Sequence, residues 1–145
     1  MPFVQDVPVG AMIRSVEDLR ELRMSNMERF LSDFEHGKQA GRHVDAELPT
    51  LLFSDGEFDL ALCSHFLFLY TDQFSQGLPH RCNPQDVQGS AEARVFPLLA
   101  LGGAPSRRVQ AVSERLRQAG HAVSIESVPY EFERGGNQMM RINRR

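Results

Sequence analysis

Residues 58 to 63, Phe-Asp-Leu-Ala-Leu-Cys, follow a polar turn, Ser54-Asp55-Gly56-Glu57, and do not alternate apolar with polar. A strand with water on one face alternates. A strand that stays apolar in both side-chain directions is buried on both faces, and such strands belong to parallel sheets packed between helices. This segment therefore restricts the chain to a layered α/β fold. It ends on Ser64 and His65. Ligands bind beyond the carboxyl ends of the strands in open parallel sheets. The change from apolar to polar thus marks where the chain emerges at a ligand edge.

The remaining segments fit the same layering. Ser15 caps a helix and Asp18 stands three residues later to answer the cap. Val16, Leu19, Leu22, Met27, Phe30, Leu31 and Phe34 make one stripe at three- and four-residue steps, and Gly37 and Gly41 mark the end. His43 to Ala46 reads as a short strand leading to Leu48-Pro49, and Phe66 to Tyr70 as the start of a helix or a packed loop. Residues 93 to 101 read as a second buried strand, with Pro97 set against a central position or marking a bulge. Ser106 caps a helix through about Ala119 that places Val109, Val112 and Leu116 on one face and stops at Gly120. His121 to Val128 alternates as a strand, Gly135-Gly136-Asn137 turns, and Gln138 to Ile142 closes as an antiparallel partner at one edge. Residues 1 to 14, broken by Pro2, Pro8 and Gly10, read as a lone strand or an untethered arm. Residues 75 to 92 read as a surface loop.

Composition enters as a set of exclusions. The 145 residues suit one domain, 1-145, able to bury about 68–70% of its unfolded surface. A net charge of -3 excludes an ordinary nucleic-acid surface. The basic tail Arg141-Ile142-Asn143-Arg144-Arg145 reads as a solvated terminus. Cys63 and Cys82 form neither a disulfide framework nor a zinc spacing. The N-terminus lacks a signal-peptide pattern, and no apolar stretch is long enough to span a bilayer. A cytoplasmic protein with free thiols is the expectation.

Three longer pieces carry a resemblance. "LPTLLFSDGEFDLALCSHFLFLY", "RVFPLL" and "GHAVSIESVPYEFERGGNQMMRI", in that order, resemble the C-terminal half of a class I S-adenosylmethionine-dependent methyltransferase. The first contains the Leu-Pro…Phe…Asp-Gly…Phe-Asp-Leu pattern with which these enzymes enter their fourth strand. The resemblance covers roughly Gly41 to Ile142. It implies a partial Rossmann-like sheet, mostly parallel, with a reversed C-terminal strand pair and helices packed on it. It implies S-adenosyl-L-methionine as cofactor and a small-molecule or protein methyl acceptor. Asp45 and Ala46 resemble the acidic-small pair near the cofactor adenine. Cys63, Ser64 and His65 stand at the fourth-strand end, which meets the methionine part and the acceptor. The family's glycine-rich loop after the first strand, and the carboxylate closing the second, are not visible in this sequence. The chain therefore reads as a truncated or decayed member, or as a fragment of a longer one. Lacking the first strand, it leaves the Phe58 strand with an unpaired edge, to be covered by Phe3 to Met12 or by a second subunit.

Each candidate has a plainer alternative. His65 is a general base or a packed histidine. Asp45 is an adenine acceptor or a loop carboxylate. Asp55, Glu57 and Asp59 are a solvated turn rather than a metal site, and His80 with Cys82 has no second ligand pair. Cys63 reads as a small buried hydrophobe, and Tyr130 as a packing or substrate-lining residue. Two functions follow: a methyltransferase-like protein, or a non-enzymatic interaction module that uses an exposed sheet edge to bind a partner or self-associate. A metal-dependent hydrolase is a third and weaker alternative.

Overall fold

A computed structural model of the chain describes residues 14–46, 51–54, 56–70, 90–131 and 135–143. The expectations for the arm at Phe3 to Met12, for Leu48-Pro49, Asp55, His80 and Cys82, for residues 75–89 and for Arg144-Arg145 lie outside these. The chain divides into two compact units, residues 1–45 and 46–145.

The first unit is built on α1, Val16–Gln39. Ser15 sits before it in extended backbone, and its Oγ accepts the Asp18 N–H at 3.0 Å. The Asp18 carboxylate in turn accepts the Arg14 N–H at 2.9 Å, so two otherwise orphaned donors are satisfied. Glu17 and Asp18 lie in the first turn and His36 and Lys38 in the last, each favourable to the helix dipole. At the other end Gly41, at φ 70°, takes the left-handed conformation. Its N–H reaches the Lys38 carbonyl and the Arg42 N–H reaches the Gly37 carbonyl, the paired closure that a glycine permits. The chain then doubles back. His43 packs its ring against Phe30 and Phe34, and Arg42 grips Asp33 through two hydrogen bonds of 2.6 and 2.8 Å. Residues 43 to 46 consequently form no strand, against the sequence expectation, because local side-chain packing holds His43 on the helix. Gly37 is where His43 comes closest: a Cβ there would stand 2.6 Å from Nε2.

The second unit contains β1 (Phe58–Ser64), β2 (Ser90–Phe96), α2 (Val109–Gln118), β3 (Ala122–Ser127) and β4 (Gln138–Asn143). The sheet order is β1-β2-β4-β3. Strand β1 pairs with β2 in parallel, and β4 is antiparallel to both β2 and β3. Three strands therefore run one way, and the last is reversed and inserted among them. The protein is thus α/β, with a mixed four-stranded sheet and two helices. Among the described residues no helix is long and apolar enough to cross a membrane.

The core lies on one face of the sheet. Ala93 and Val95 of β2, Met140 and Ile142 of β4, Leu116 of α2, and Phe68 and Leu98 of the connections are buried together. Ala61, Cys63, Val109, Val112 and Val123 pack around them. The amphipathic spacing of α2 thus lays its apolar stripe on this face. Helix α2 closes as α1 does. Gly120 at φ 93° lets its own N–H reach the Arg117 carbonyl and the His121 N–H reach the Leu116 carbonyl.

The opposite face carries charge. Glu92 accepts from Arg94 on its own strand and from Arg141 at 2.6 Å on β4, while Arg141 and Glu126 of β3 stand 3.9 Å apart. Arg94 and Arg141 are direct cross-strand partners, and Glu92 offsets their repulsion.

Three expectations need correction. Strand β1 is not covered on both faces: Phe58, Leu60 and Leu62 are 43%, 41% and 71% exposed. Only the Ala61 and Cys63 side meets the core, because α2 and the Phe68 segment occupy that side. Strand β1 pairs with β2 alone among the described residues. Strand β2 starts at Ser90 and ends at Phe96, so residues 90–92 are strand rather than loop. Pro97 falls just past its end, after a cis peptide bond, which reconciles a proline with a strand paired on both sides. Finally, Ser106 does not cap α2 as a first-residue cap. It is buried, gives its N–H to the Leu98 carbonyl, and α2 begins at Val109.

Candidate functional site

Because β1, β2 and β3 run in one direction, their carboxyl ends reach the same edge. There the chain sets Ser64, Phe96 and Ser127, with His65 directly following β1. The His65 N–H donates to the Phe96 carbonyl at 2.7 Å, fastening the exit of β1 to the exit of β2. The backbone of His65 has φ 55°, a left-handed value uncommon outside glycine, though histidine takes it more readily than most residues. Non-glycine residues held in this region concentrate at ligand sites.

The side chains at this edge form a connected row. Ser64 Oγ and His65 Nδ1 are 2.7 Å apart and share a hydrogen bond whose donor is set by the imidazole tautomer. The His65 ring meets Phe96 edge-on, with centroids 5.8 Å apart, and Phe96 meets Tyr130 at 5.5 Å. Tyr130 is positioned by the exit of β3, where the Val128 N–H donates to the Asn137 carbonyl at 2.8 Å. A hydroxyl, an imidazole and two aromatic faces thus line one margin of the sheet. Such a row can accept a proton, donate a hydrogen bond and present π-electron density to a cation.

The expected residues divide accordingly. Ser64 and His65 belong to the row. Cys63 alternates to the other side and packs against the core, where the Leu67 N–H donates to its sulfur. Burial pushes the Cys63 thiol up from its ordinary range, so it stays protonated and poorly nucleophilic. Asp45 and Ala46 are both exposed and fall on either side of the division between the two units. Phe96 escaped the sequence reading, because a strand drawn through to Leu101 hid the position at which β2 ends. The signal was present in Phe96-Pro97, since proline ends a ladder.

Elsewhere the chemistry is plainer. Arg141 and Arg94 hold the Glu92 carboxyl below its ordinary range. A hollow lined by Arg117, Gly120, His121, Ala122 and Val123 opens at the opposite end of β3, away from the row. Among the described residues no cluster of His, Cys, Asp and Glu is able to hold a metal ion.

Fold and edge together define an α/β protein whose parallel strands end on a polar-aromatic margin. No family model matches the chain, and no solved structure matches it. The chain is similar to an uncharacterized protein of Methanocaldococcus jannaschii, with 27% identity over 131 residues, covering 90% of this chain and 56% of that protein. It therefore spans about half the length of the curated relative it matches.

Proposed function

We propose that this chain is a methyltransferase-like half-sheet that receives the sulfonium end of S-adenosylmethionine at the carboxyl edge of β1 and β2. The observation that carries this reading is the row Ser64–His65–Phe96–Tyr130. Two further findings support it. Parallel strands followed by a reversed closing pair are the arrangement the sequence resemblance implies. The chain covers 56% of its longer archaeal relative, which supports reading it as one part of a larger arrangement.

The fit to the cofactor is partial. The aromatic faces of Phe96 and Tyr130 suit a sulfonium cation, and the exposed Ser64 hydroxyl suits a hydrogen bond to the methionine part. Among the described residues no glycine-rich turn links a strand to a helix ahead of β1, so the ribose and adenine portions would be gripped from outside them. When bound, the cofactor supplies an electrophilic methyl group. The chain's own part is to orient: His65, its backbone N–H fastened to the Phe96 carbonyl and its Nδ1 bonded to Ser64 Oγ, fixes the strand exits against which the methyl acceptor would lie. Phe96 and Tyr130 form an apolar wall that keeps water from the reacting atoms.

Titration calorimetry with S-adenosylmethionine and S-adenosylhomocysteine tests the reading. With the ribose grip lacking, affinity in the millimolar range is expected, about −4 kcal/mol. Phe96→Ala should abolish the heat. No heat and no thermal shift with the unaltered chain at several millimolar ligand, about the limit such a binder would reach, removes the cofactor assignment.

A further inference from the structure

Strand β1 has an apolar composition and one open side. Among the described residues its lateral hydrogen-bonding groups face β2 only, and Leu60 and Leu62 project 41% and 71% exposed from the face opposite α2. An unpaired apolar edge of this kind invites a further strand.

We propose that the further strand is β1 of a second copy. The two copies pair antiparallel about a two-fold axis at Ala61 and join their four-stranded sheets into one of eight strands. The sequence of the strand argues for this occupant. A closed two-fold contact requires a surface complementary to itself. The centre of Phe58-Asp59-Leu60-Ala61-Leu62-Cys63-Ser64 is symmetric about Ala61, with a leucine on each side. Pairing centred there sets Leu60 opposite the partner's Leu62 and Leu62 opposite the partner's Leu60. It sets Asp59 opposite the partner's Cys63, and Ala61 opposite the partner's Ala61.

This register alone pairs all seven residues of β1. Because 58, 60, 62 and 64 share a face, as their partners Ser90, Glu92, Arg94 and Phe96 do, four leucines gather into one patch. The small Ala61 lets the two backbones approach closely at the axis. The strand's single charge, Asp59, meets a thiol instead of its own copy, so no like charges oppose each other. The seam runs along the side of β1 and reaches the candidate row only at Ser64, which pairs with the partner's Phe58.

Light scattering after size exclusion tests the proposal on the full chain. From about 5 to 500 µM the mass should rise from 16.4 kDa toward twice that value. Leu62→Lys should leave the far-ultraviolet spectrum unchanged at low concentration and lower the thermal midpoint by no more than about 2 °C, since the side chain is mostly exposed in the single copy. The same change should weaken association at least tenfold. Ala61→Cys, with Cys63 and Cys82 replaced by serine, should form a covalent dimer under mild oxidation, because the two sulfurs meet at the axis. A monomeric mass throughout overturns the proposal. So does a dimer that survives Leu62→Lys and does not cross-link through position 61, since its seam would lie elsewhere. Exchange-protected outward β1 amides in a monomer would also overturn it, by showing that another segment of the same chain covers the strand.

Discussion

Replacing Leu62 and Met140 by alanine, one at a time, measures whether the sheet has a single covered face. The two side chains are of similar size and stand on strands of the same sheet, but Met140 is 0% exposed and Leu62 71%. Met140 pairs with Val95 and Ile125 in the middle of the ladder, within the core cluster. Its truncation leaves a cavity, and such changes cost about 2–5 kcal/mol. At about 3 kcal/mol, and about 4 °C per kcal/mol for a domain near this size, the thermal midpoint should fall by about 12 °C. Leucine burial in full is worth about 1.5–3 kcal/mol. Less than a third of Leu62 is buried, so its truncation should cost about 0.5 kcal/mol and about 2 °C. Urea and thermal unfolding followed by circular dichroism, at low micromolar protein so that copies are apart, reads both. If Leu62→Ala costs about 2 kcal/mol or more, the outer face is covered and the account of β1 is wrong.

Three further outcomes are expected. The Glu92 carboxyl is depressed by Arg141 and Arg94, so its contribution to stability is present above its ordinary value of 4.5 and is lost as pH falls through the lower folded value. Glu92→Gln should therefore flatten the acid side of the stability profile and lower stability near neutrality; an unchanged acid slope would refute the bridge. Gly120→Ala meets no atom within 4 Å, so its cost is conformational alone, about 1 kcal/mol by chemical denaturation. Cys63, in a Cys82→Ser background, should resist thiol reagents at pH 8 until the protein unfolds, since burial raises its thiol; rapid labelling of folded protein would show that it is not packed as described.

Much of this architecture was legible because it is local. The cap at Ser15, the glycine closures at Gly41 and Gly120, and the strand at Phe58 follow from residues within a few positions of one another. The antiparallel closing pair was legible too, from the glycine turn between its strands. What depends on distant partners was not. Nothing near Phe58 says how many faces of β1 are covered; that is decided by α2 and Phe68 settling on one side only. Ser106 looked like a cap because the serine-to-helix spacing is right, but its Oγ accepts the Arg108 N–H in the turn that precedes Val109, where α2 begins. At the candidate site, the polar exit at Ser64 and His65 was visible from the change in side-chain type. Phe96 and the ring contact it makes with Tyr130 arise only when two strand ends come together. The Glu92–Arg141 pair, 49 positions apart, is beyond any local pattern.

The insertion of β4 between β2 and β3 has a consequence for biosynthesis. Those two strands share no hydrogen bond, so neither can zip onto the other while the chain is being made. Until Gln138–Asn143 has cleared the ribosome, the nascent chain holds a two-stranded ribbon and a detached third strand, and Val95 and Val123 lack the Met140 and Ile142 side chains that complete the core. Sheet closure therefore awaits the last segment described, and a chaperone that shields apolar ribbons would find its client in that interval.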